Sequence, residues 1–203
     1  MRKATQIFVL SLIFYASLLT ALHGVFELAQ GHVATGGMAI SAIGAPCQAE
    51  TVWHACFPAL TVLPTFFTAG LMTLILTGLL ITRGIRQIIK PRQDMALFVL
   101  TVMLLLSGGG FIAFFVLTVA SVAAYWPHQK LTGQPNAFIR LMAKGWPWLL
   151  FVYFLLVGTE ALLGGFKADL SIQVNFLLPL GFLFLLLTAV SAYAWDVSQT
   201  TPE

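Results

Sequence analysis

Runs of about 20 mainly apolar residues dominate this sequence, and a helix of that length matches the hydrocarbon thickness of a bilayer. Five stretches qualify: residues 7–29, 60–82, 95–125, 148–166 and 175–195. Composition agrees, since 59% of the 203 residues are hydrophobic and 8% charged, with a mean hydropathy of +0.94. A soluble globular domain would not tolerate that surface, and a disordered chain would need low hydropathy and high charge. Too little polar sequence remains for a separate catalytic domain. The expected fold is all-α: a single integral membrane domain over 1–203, a multi-pass transmembrane helical bundle of about five spans with no soluble domain.

Five spans place the two termini on opposite sides. The opening Met1-Arg2-Lys3 and the apolar run behind it resemble a signal peptide, but the run continues past the short core of a signal, so a retained first helix is expected. The positive-inside rule then puts Arg2, Lys3, the 83–92 cluster (Arg83, Arg86, Lys90, Arg92) and Lys167 in the cytoplasm. Lys130, Arg140 and Lys144 fall outside with the C-terminus, in a plasma (inner) membrane. The sequence pI of about 9.1 reflects this topology and anionic lipid headgroups; no soluble basic surface remains for nucleic acid.

Two outer loops interrupt the hydropathy. Loop 31–57 holds both cysteines, Cys47 and Cys56, on the oxidising side, and a disulfide between them is the simplest use of the pair. It lacks a CxxC and a second pair, as a thiol redox centre would need. Its apolar stretch 38–43 is suited to dipping into the interface or capping the bundle, and in loop 126–147 residues 137–144 suit a short surface helix.

Ionisable residues inside spans are costly to bury and are therefore candidate functional groups. His23 and Glu27, four apart in the first span, share one helical face, the spacing of a ligand set or proton relay. The plainer alternative is a pair that reaches the wet interface. Glu160 lies deep in the fourth span, either as a proton, cation or amine site or as a protonated or hydrogen-bonded acid joining helices. His23, Glu27 and His54 are weak metal candidates, because no HExxH or paired CxxC accompanies them. In the third span Ser107 precedes Gly108, Gly109 and Gly110, each of which costs a helix up to about 1 kcal/mol against alanine. Close helix packing or a broken helix would offset that.

No motif names a reaction or a cofactor. The leading expectation is a non-enzymatic membrane protein that binds or conducts a small molecule, an ion or a lipid through His23, Glu27 and Glu160. Its partners would be the lipid bilayer, a small hydrophobic ligand or ion, and a membrane-protein partner or second copy. The alternatives are an accessory or assembly subunit of a larger membrane complex and a membrane enzyme with an outer-face metal.

Overall fold

The computed structural model describes residues 3–43, 58–89, 95–125, 136–166 and 176–199. Within them the elements run α1 (Lys3–Gln30), β1 (Ala39–Ser41), β2 (Pro58–Leu60), α2 (Phe66–Ile89), α3 (Ala96–Ser107), α4 (Phe111–Tyr125), α5 (Ala137–Lys144), α6 (Trp148–Phe166) and α7 (Leu178–Ser198). Among the described residues the structure is all-α apart from one two-stranded ribbon. Helices α1, α2 and α7 are long and apolar enough to cross a membrane, and α5 with α6, bent by 54° at their junction, makes a fourth candidate if taken as one span.

Local chemistry sets the boundaries. Gly31, at φ +72°, ends α1, and its N–H bonds the Leu28 carbonyl at 3.0 Å. Helix α2 starts at Phe66, six residues later than hydropathy suggests for the second span. Thr65 caps it: the Thr68 N–H donates to Thr65 Oγ1 at 3.3 Å, and the Thr65 N–H donates back to Thr68 Oγ1 at 3.4 Å. The chain before that cap is extended. Strand β2 pairs antiparallel with β1, Ile40 opposite Ala59, while the Thr61 N–H donates to the Met38 carbonyl at 2.9 Å. Gln30 Nε2 ties the ribbon to the end of α1 through the carbonyls of Ser41 (3.3 Å) and Ala42 (2.5 Å). Of the two expectations for 38–43, the capping one fits this ribbon, which sits at the Gln30 end of α1.

Helices α1 and α2 cross antiparallel at a glycine pair. A Cβ added to Gly70 would lie 2.5 Å from the Gly24 carbonyl and 2.7 Å from the Leu28 nitrogen, so the two backbones touch where only glycine fits. Further along, Thr77 meets Thr20 and Gly84 meets Ile13.

The stretch 95–125 is not one span. It breaks at Gly108–Gly110 into α3 and α4, and positional markers along neighbouring helices show that it turns back. Ser107, at the end of α3, receives the Thr73 hydroxyl, and Gly110 abuts His23, both toward the Gln30 end of the bundle. Phe115 of α4 then packs edge-to-face on Phe182 of α7, centroids 5.3 Å apart. Phe182 stands about 21 Å along α7 from Asp196 at about 1.5 Å per residue, and Asp196 accepts hydrogen bonds from the N–H groups of Ala4 (2.9 Å) and Thr5 (2.8 Å) at the start of α1. Five residues after the apex, α4 has therefore already descended toward the Lys3 end. Helices α3 and α4 form a hairpin whose limbs, about 18 and 22 Å long, are each shorter than a bilayer core.

Two expectations change as a result. The bonds to Asp196 place the end of α7 beside the start of α1, at one end of the bundle, whereas five spans would have separated them. Helix α5 belongs to that end too, since the Ser191 hydroxyl of α7 donates to its Met142 carbonyl at 2.8 Å. Arg140 and Lys144 thus share an end with Lys3 and do not lie opposite it. The physical cause is the glycine turn, which returns the chain to the side it came from. Phe8, Leu12, Ala16, Leu117, Ala120, Leu185 and Ala192 form part of the apolar core that fills this half of the bundle.

Candidate functional site at the hairpin apex

One face of α1 carries Ser17, Thr20, His23 and Glu27 at intervals of three and four residues, and all four are buried. Glu27 and Thr20 are 0% exposed and His23 6%. The pair does not reach the wet interface. It is covered by the hairpin apex and by the ribbon above it, where the Val62 N–H donates to the Leu106 carbonyl at 3.0 Å.

The apex glycines exist for this contact. Gly108 and Gly110 adopt φ +119° and +84°, a region L side chains rarely enter. A Cβ on Gly108 would come within 2.5 Å of Glu27 Oε2 and 2.7 Å of its Cδ, and one on Gly110 within 2.6 Å of His23 Nε2. The His23 ring is hydrogen-bonded to the Gly108 backbone. Gly109 is constrained differently, with its Cβ position 2.8 Å from the Leu104 carbonyl. The glycine run thus combines both sequence expectations: it breaks the helix and permits close packing, but the packing is against two ionisable side chains.

Hydroxyls continue the polar surface. The Thr77 hydroxyl lies 2.8 Å from both Thr20 Oγ1 and the Thr73 carbonyl, and the Thr73 hydroxyl donates to the Ser107 carbonyl at 3.0 Å. Below Ser17 the face becomes Ala16, Ile13, Leu12 and Phe8, all buried. The polar column is therefore open in chemistry at the Gln30 end and closed by apolar packing toward Lys3.

Glu27 stands out within this arrangement. Both of its carboxyl oxygens are buried, and neither has a hydrogen-bond partner among the described residues. Leaving a buried polar group unpaired costs about 1–3 kcal/mol, and more for a charged one.

Glu160 is a separate feature. It is half-buried on α6, near Tyr15 and Tyr153. Its neighbour Thr159 is exposed and bonds its own helix, and a Cβ on Gly158 would meet nothing within 4 Å, so neither serves a close helix contact. Cys47, Cys56 and His54 lie outside the described residues. Among the described residues no group of three or more His, Cys, Asp or Glu could hold a metal. The sequence reading missed Gly24 with Gly70, the hydroxyls of Thr73 and Thr77, and Asp196; His23-Gly24 beside Glu27 was the available signal for the first of these.

Comparison with known protein families, with curated proteins and with solved structures found no match to this chain.

Proposed function

We propose that this chain is a small multi-pass membrane protein that binds a small cation or cationic hydrogen-bond donor at Glu27, beside His23, from the side of the β1–β2 cap. The observation that carries this reading is the Glu27 carboxyl, fully buried with two unsatisfied acceptor oxygens. An uncompensated carboxyl inside a bundle is expensive, and a ligand that supplies charge or donors recovers that cost. Binding fits better than conduction, because on the α1 face the run of polar side chains that starts at Glu27 stops at Ser17 and gives way to Ala16, Ile13, Leu12 and Phe8. The apex is the natural entry. Gly108–Gly110 is joined to the site by the His23 contact and must move aside to make room, as re-entrant segments do where they line a site. In this orientation the Lys3 end faces the cytoplasm, with Arg83, Arg86, Arg140 and Lys144 toward it.

The test is thermal unfolding of the purified protein in detergent, in sodium, potassium or methylammonium chloride against choline chloride at equal ionic strength. The wild type should gain several degrees in at least one small cation, and Glu27→Gln should lose that gain. Identical melting of the wild type in all four salts would defeat the reading. An accessory subunit, by contrast, should aggregate when purified alone.

A further inference from the structure

We propose that α5 and the start of α6 form a binding site for an anionic phospholipid, with Arg140 and Lys144 holding the headgroup phosphate and Phe138, Leu141 and Trp148 lying along the acyl chains. The proposal is independent of the Glu27 site and rests on the surface of one short helix. At 100° per residue, Arg140 and Lys144 stand one turn apart on one ridge of α5, and Phe138 and Leu141 on the next. The opposite side carries Ala143, which is buried, and faces α7 through the Ser191–Met142 bond.

Both outward ridges are open. Phe138 is 60% exposed, Leu141 61% and Trp148 69%, while Arg140 and Lys144 are exposed as well. Water would reject the first group and a bilayer core the second. A helix that presents both side by side, ending in a tryptophan, suits the plane where headgroups meet acyl chains.

Charge selects the lipid. Among the described residues Lys3, Arg83 and Arg86 lie toward the same end as Arg140 and Lys144. The described carboxylate at that end, Asp196, is already engaged by the Ala4 and Thr5 N–H groups, and no described carboxylate pairs with Arg140 or Lys144. Among the described residues Arg140 and Lys144 therefore have no counter-anion. A lipid phosphate supplies it together with the apolar chains that cover Phe138 and Leu141, which a free anion cannot do. Arginine also takes phosphate in a bidentate fork, with lysine adding a point charge.

The experiment compares phosphatidylglycerol with phosphatidylcholine of the same acyl chains, titrated into the detergent-purified protein and read by native mass spectrometry as lipid retained. Wild type should retain phosphatidylglycerol preferentially, and Arg140→Gln and Lys144→Gln should each cut that preference about fivefold, at about one elementary attraction per charge. Phe138→Ser with Leu141→Ser should weaken both lipids alike and leave the preference. Equal retention of the two lipids by wild type would overturn the proposal, as would a preference that survives loss of both charges. It would also be overturned if α5 proved to mediate dimerisation in phosphatidylcholine, abolished by Phe138→Ser.

Discussion

Placing a methyl group at Gly108 tests the apex and the Glu27 contact together. Two costs are expected for Gly108→Ala. Holding alanine at φ +119° costs about 1–2 kcal/mol. The new Cβ, within 2.5 Å of Glu27 Oε2, must displace a packed neighbour for about 1–3 kcal/mol more, so the single variant should lose about 2–5 kcal/mol. Glu27→Ala removes the obstructing carboxyl, and relief of its unpaired burial offsets much of the cavity it leaves. In that background Gly108→Ala should cost only the backbone strain. The double-mutant cycle should therefore show a favourable coupling of about 1–3 kcal/mol. Equilibrium unfolding in mixed dodecylmaltoside and sodium dodecyl sulfate micelles, followed by circular dichroism, measures all four corners. Additivity within about 0.5 kcal/mol would refute the contact, and a Gly108→Ala protein as stable as wild type would refute the turn itself.

The remaining expectations concern the frame that holds the site. Asp196→Ala removes two charge-assisted bonds to the first turn of α1 and should cost about 2–3 kcal/mol, and Asp196→Asn about half, in the same unfolding assay. Gly70→Ala should destabilise by about 1–3 kcal/mol by prising α1 from α2. Gly158→Ala, which meets open space, should be neutral or gain up to about 1 kcal/mol. Reporters fused at the N-terminus and after Gln199 should respond from the same side of the membrane; responses from opposite sides would refute the hairpin.

Hydropathy is a local property, additive along the chain, and the sequence by itself therefore determined that the protein is helical and roughly where its apolar helices lie. It also marked 137–144 as suited to a short surface helix, while it left 38–43 open between dipping into the interface and capping the bundle. The spacing of His23 and Glu27 likewise placed them on one face without any tertiary knowledge. Chain direction after the third apolar stretch was not legible in this way. A run of 31 apolar residues reads the same whether it continues straight or doubles back, because hydropathy carries no sign of direction. The decision rests on two positive backbone angles, at Gly108 and Gly110, which glycine adopts readily and which bring the turn against Glu27 and His23. That one turn reverses the end at which α5 emerges and brings Asp196 to the N-terminus of α1. Burial of Glu27 was likewise a tertiary outcome. Near a helix end a carboxyl would sit in water by default, and it is the packing of α2 at Gly70 and of the hairpin apex at Gly108, both from elsewhere in the chain, that removes the solvent from it.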